Sequence, residues 1–162
     1  MSTKNVWIAT LSAIKRQIIL PVLEAINLGG NAAVNLVTGT GLVESRFMHD
    51  RQINGPALGW FQMEPRTHDD IWLNFLRYRP DLANRILAAS GLTGLPEAEN
   101  LVQNKAYSAC MCRAQYLRTS EPLPSATDAA ALSAYHKQHY NTVLGQANAA
   151  ANTSLFQQAI KA

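Results

Sequence analysis

The chain has 162 residues, a net charge of +3 from 14 Lys and Arg against 11 Asp and Glu, and is 48% hydrophobic with 15% charged side chains. That length suits one domain spanning residues 1–162, able to bury about 70% of its unfolded surface. The composition excludes a disordered or low-complexity protein. A pI near 9.0 favours anionic partners, but no basic run or interleaved aromatic strip marks a nucleic-acid footprint.

Hydrophobic periodicity predicts a mainly α fold. Val6 to Ile14 and Ile18 to Leu28 are apolar-rich, with Pro21 as a helix start or kink and Gly29-Gly30 as a stop. Lys15, Arg16, Pro21 and Glu24 interrupt this region, so no continuous apolar span of about 20 residues is expected, nor stable membrane insertion. No clear cleavage site follows, which predicts synthesis in the cytoplasm. Asn31 is expected to cap a helix running to Phe47. Met48 to Glu64 lacks helical periodicity and contains Gly55, Pro56 and Gly59, the signature of a loop or small β-hairpin. Pro65 then opens a helix whose buried stripe is Ile71, Trp72, Phe75 and Leu76, and Pro80 ends it. A short helix from Asp81 to Ala89 precedes the turn Ser90 to Pro96. A long helix is predicted from Glu97 to Thr119, then a rigid connector from Glu121 to Ser125. Thr127 or Asp128 starts a helix through Tyr135, and Thr153 or Ser154 a short last one.

Cys110 and Cys112 are the only cysteines. On a helix their side chains diverge too far to bridge, and CxC without companions is a poor zinc site. Both read as small helix residues of a protein made in a reducing compartment. His49, His68, His136 and His139 match no metal-binding spacing, so no metal and no cofactor is expected. His136 and His139, three residues apart, read as surface residues, and Arg113 and Arg118 as solvated charges.

One segment suggests chemistry: GLVESRFMHDRQINGPALGWFQMEPRTHDDIW, Gly41 to Trp72. An acid, Glu44, lies on a predicted helix close to its end and precedes a Gly-containing loop flanked by aromatics. A glycosidase needs a carboxyl group partly withdrawn from water to keep its proton for donation. At about 100° per residue, Val34, Val37, Gly41 and Glu44 fall within about 80° of arc. Glu44 therefore shares the inward face and emerges at its end. Gly39 and Gly41 each cost about 1 kcal/mol relative to Ala in a helix, which makes sense if another helix must approach closely beside the acid; the alternative is that they mark a helix break and Glu44 is a solvated residue of a following loop.

Glu44-Ser45, Gly59-Trp60-Phe61-Gln62 and Pro65-x-Thr67 occur in that order, and together they resemble the motifs of the soluble lytic transglycosylase and goose-type lysozyme group. ALGWFQMEPRTHDDIW, CRAQYLRTSEPLP and AYHKQHYNTVLG resemble a bacteriophage branch of it, so the similarity spans roughly Thr38 to Gln146. The resemblance implies a lysozyme-like helical domain with a cleft for peptidoglycan glycan strands, and Glu44 as general acid. It also implies Ser45 as a support that hydrogen-bonds near the acid, and Gly59 and Gln62 as cleft-lining residues. Trp60 is a candidate for stacking on a sugar ring. The group's late tyrosine, which reaches back toward the acid, maps to Tyr135 or Tyr140. Tyr140-Asn141 matches the usual pair, while Ala134-Tyr135 matches the residues preceding it in many relatives and is slightly favoured.

Hydrolysis ordinarily takes two carboxyl groups. Asp50 and Glu64 are the candidates for the second, with Asp69 and Asp70 better explained by their position early in a helix. A lytic transglycosylase needs only one, because the muramic acid C6 hydroxyl displaces the leaving group. The resemblance therefore implies a monomeric phage endolysin, stored in the host cytoplasm and released to the periplasmic wall with a holin as partner by analogy. A virion-associated lysin is an alternative, and a non-catalytic wall-binding or tail structural protein is the reading from another class.

Overall fold

A computed structural model describes residues 1–140 and 148–162. The fold is mainly α, as the periodicity predicts. Its helices are α1 Thr3–Ile14, α2 Leu20–Ala25, α3 Asn31–Glu44, α4 Pro65–Asn74, α5 Pro80–Ser90, α6 Asn100–Gln103, α7 Lys105–Leu117, α8 Ala129–His139 and α9 Ala149–Lys161.

A π-helical turn, Lys15–Ile19, joins α1 to α2, so the chain is helical without a break from Thr3 to Ala25. Pro21 has no N–H and would crowd the carbonyl four residues back in a regular helix. The wider turn, in which Leu20 N–H donates to the Lys15 carbonyl, accommodates it. This corrects the expected interruption: these 23 residues are long and apolar enough, by length and composition, to cross a bilayer. Their second half is tied to the domain. Ile19, Val22 and Leu23 are buried in the core. Lys15 Nζ donates to the carbonyls of Ala159 (2.7 Å) and Ala162 (3.2 Å), and Arg16 donates to Ala162. Both thereby occupy carbonyls that the last turn of α9 leaves without partners.

Helix α3 is the centre of the molecule. Every residue from Ala33 to Leu42 is buried, and α9, α8, α7 and the π turn pack around it. A helix enclosed on all sides has no polar face, and Glu44 is its one ionisable side chain. The polar residues inside it satisfy themselves: Thr38 and Thr40 donate to carbonyls four residues back, and Asn35 to the Ala126 carbonyl. Gly39 and Gly41 are close-approach residues. A Cβ on Gly39 would lie 2.2 Å from the Phe156 ring of α9, and one on Gly41 2.2 Å from the Phe47 ring.

Several boundaries differ from expectation for local reasons. Asn31 is the first helical residue of α3 and does not cap it; Gly30, at φ 97°, holds that position. The helix ends at Glu44, short of Phe47, because Arg46 and Phe47 both take positive φ. Pro80 opens α5 at its first turn, the opposite of the expected stop. The predicted Glu97–Thr119 helix is broken at Asn104, whose side chain accepts from Tyr107 N–H and caps α7. Helix α9 starts at Ala149 behind the Asn148 cap, ahead of Thr153. Between α3 and α4 the backbone makes only isolated antiparallel bridges, Arg51 with Leu58 and Leu58 with Met63.

Candidate active site

Glu44 is the last residue of α3, and its side chain is 14% exposed. Its placement does not depend on the helical phase worked out above, since α3 faces protein in every direction. The carboxylate reaches the edge because the helix stops there, where Ser45, Arg46 and Phe47 turn the chain away.

Ser45 latches that turn to the following loop. Its buried hydroxyl donates to the Trp60 carbonyl at 2.6 Å and accepts from Phe47 N–H at 3.1 Å. The Phe47 ring then meets the edges or faces of Trp60 and Phe61 at centroid distances of 5.1 and 6.1 Å. Gly59 belongs to the same loop at φ 74°. A side chain there would put Cβ 2.4 Å from the Leu101 carbonyl oxygen, so the backbone comes close only because the position is glycine. Gln62, also at positive φ, folds its side chain back and donates to the Gly59 carbonyl at 2.9 Å. Phe61 is core, whereas Trp60 is half-buried with the Lys105 ammonium 4.7 Å from its ring centroid.

The two tyrosines separate clearly. Tyr135 donates to the Glu121 carbonyl at 2.9 Å, and its ring meets those of His139 and Tyr116 in tilted contacts. Tyr140 donates to the Phe61 carbonyl at 2.6 Å and stacks on His136 at 5.8 Å with planes 23° apart. Burial first, then the nearby Cys112 thiol and the Glu44 charge, hold the Tyr140 hydroxyl well above the usual phenol range. Tyr140, stacked on His136 and within the field of the Glu44 charge, is the tyrosine on the acid's side, whereas Tyr135 turns to Glu121, against the expected preference for Tyr135. Asn141 lies outside the described residues.

A further residue at the acid, without any local mark in the sequence, is His136. It is fully buried, and its Nε2 lies 2.9 Å from Glu44 Oε1. The reading of His136 as a surface residue is overturned: its helix is packed on α9, itself packed on α3, which turns this position inward. Thr40, Cys112 and Tyr116 complete a buried polar cluster behind the acid. Thr40 Oγ1 and the Tyr116 hydroxyl are 2.7 Å apart. Desolvation raises the Cys112 thiol and the Tyr116 phenol well above their ordinary ranges, with the Glu44 charge adding to both.

The candidate second carboxylates are not joined to Glu44. Asp50 forms an ion pair with Lys105, the same ammonium that lies over Trp60. Glu64 is exposed at the N-cap position of α4 and makes no side-chain cap bond. Asp69 accepts from, or shares a proton with, His68 Nδ1 at 2.9 Å, and Asp70 pairs with Arg118 at 2.6 Å. His139 lies 3.0 Å from Glu121. Arg113 is buried, not solvated, and donates from Nε to the Leu28 carbonyl. Cys110 and Cys112 are both buried free thiols. A pocket of about 370 Å³ is lined by Ile18, Pro21, Ala25, Ala106 and Lys105 among others, and its lining includes neither Glu44 nor Trp60.

No family model, curated protein or solved structure matches the chain.

Proposed function

We propose that the protein is a phage-type peptidoglycan-cleaving enzyme that breaks the β-1,4 bond between N-acetylmuramic acid and N-acetylglucosamine, with Glu44 as general acid. The observation that carries this reading is the position of Glu44. It is the one ionisable side chain on a buried central helix, it emerges with only 14% of its side chain exposed, and the loop bearing Gly59, Trp60 and Gln62 is latched beside it by Ser45 and Tyr140. The carboxyl donates its proton to the glycosidic oxygen as the bond from sugar C1 to that oxygen breaks, and the electron pair leaves with the oxygen. The resulting carboxylate then accepts a proton from the group that captures C1.

Two captures are chemically open. Water leaves a reducing end; the muramic acid C6 hydroxyl leaves a 1,6-anhydro end. The commitment of Asp50 to Lys105 and the exposed position of Glu64 favour the second, which uses one carboxyl group for both proton transfers. The net charge of +3 suits an anionic wall polymer. Storage in the host cytoplasm, release through a holin and action in the periplasm belong to this same proposal.

Digestion of purified peptidoglycan, followed by mass analysis of the released ends, tests it. Anhydro ends, lighter by one water, are expected. Glu44→Gln should lose release by more than about a hundredfold while remaining folded and still binding the polymer. Absence of released muropeptides from the wild type, or full activity of Glu44→Gln, refutes the assignment and leaves a binding or structural role.

A further inference from the structure

His136 raises a question that its burial makes specific. Its Nε2 faces Glu44 Oε1 at 2.9 Å, whereas its Nδ1 is buried without a hydrogen-bond partner among the described residues. A hydrogen on Nδ1 would be an N–H buried with nothing to accept it, and a charged ring would carry hydrogens on both nitrogens. The arrangement that strands no donor puts the ring's one hydrogen on Nε2 and aims it at Oε1. Among the described residues, Cys112 and Tyr116 from α7 and Tyr140 from the end of α8 feel the Glu44 charge, and burial holds each of them protonated; α9 contributes the Phe156 ring, 5.9 Å from the His136 ring.

We infer that His136 is a positioning residue for Glu44: as a neutral Nε2–H donor it occupies Oε1, so that the proton Glu44 gives up is carried on Oε2, and the same bond stabilises the carboxylate once that proton has gone. The inference rests on the proposed role of Glu44 but is read separately from it. An oxygen already accepting a hydrogen bond is a poor place for the carboxyl hydrogen, so one oxygen is reserved. A single orientation of the donated proton is worth much of a general acid's effect, because misplacement by about 1 Å can cost about a hundredfold.

Two measurements decide it. Ring-nitrogen NMR of the histidines at pH 7 should show His136 as the neutral Nε2–H tautomer, and Glu44→Gln should move that resonance while leaving His139 in place. Both nitrogens protonated, or the hydrogen on Nδ1, overturns the inference whether or not the protein cleaves anything. On peptidoglycan, His136→Gln keeps an N–H donor and should retain most of kcat. His136→Leu has none and should lose about tenfold to a hundredfold in kcat, with the alkaline limb of its pH profile moved to higher pH, because the carboxylate has lost a hydrogen bond. His139→Gln is the control and should behave as wild type. Folded, fully active His136→Leu with an unmoved pH profile overturns the inference. Should His136→Leu not fold, the tautomer and its response to Glu44→Gln decide alone. Inactive wild type with the Nε2–H tautomer intact refutes the enzyme reading and leaves the pairing standing.

Discussion

Gly59→Ala should be among the most destabilising small substitutions in the chain, and the structure divides its cost into two parts. At φ 74° an alanine sits in the left-handed region, which costs roughly 1–2 kcal/mol. Its Cβ would also lie 2.4 Å from the Leu101 carbonyl oxygen. That atom is backbone and cannot rotate away, so the loop must shift, at a further ~1–3 kcal/mol. The sum is roughly 2–5 kcal/mol, a large share of a typical domain's 5–15 kcal/mol. Gly91 supplies the control. It ends α5 at φ 66° with nothing within 4 Å of its Cβ position, so Gly91→Ala should cost only the backbone part. Denaturant unfolding of the two variants beside wild type gives the difference, expected at ~1–3 kcal/mol. Melting temperatures should separate by roughly 2–12 °C. Equal losses at the two glycines would show that the loop does not press against Leu101. Because the same loop carries Trp60 and Gln62, Gly59→Ala should also lower cleavage activity in the fraction that stays folded.

Ser45→Ala leaves the Trp60 carbonyl and the Phe47 N–H without their shared partner. A loss of roughly 2–4 kcal/mol is expected, and a loss below ~1 kcal/mol in the same unfolding assay would contradict the latch. Stability should also decline in mild alkali through the buried thiols. Unfolded cysteine releases its proton near 8.5, whereas burial pushes the Cys110 thiol up to about 12. Across that window the native state binds more protons than the unfolded one, so stability falls as pH rises, by roughly 1 kcal/mol per pH unit. Cys110→Ala should flatten the fall between pH ~9 and ~10; an unchanged slope would refute the assignment.

Local rules carried much of the fold. Pro65 at a helix start and Asp128 at an N-cap act through groups within a few residues, so their effect is written into the adjacent sequence. The same local chemistry misled where one residue type serves two purposes. Pro80 is compatible with ending one helix or opening another, and Asn104 reads as an ordinary helix residue until its side chain is seen capping Tyr107. The acid was legible for a different reason from the one the helical phase supplied. An 80° arc distinguishes faces only on a helix that has an outside, and α3 has none.

Spacing alone shows that the chain is mainly helical, that a long irregular segment lies between Met48 and Glu64, and that Glu44 lies close to the end of the helix before it. These follow from spacing and from residues that restrict their own backbone. Which groups surround Glu44 depends on how distant helices pack. His136 lies 92 positions away in the chain and Tyr140 farther still, and neither carries a local mark of burial. The pair His136 and His139 looks the same at either surface of a helix. It is the docking of α9 against both α8 and α3 that sends one histidine to the acid and leaves the other beside Glu121.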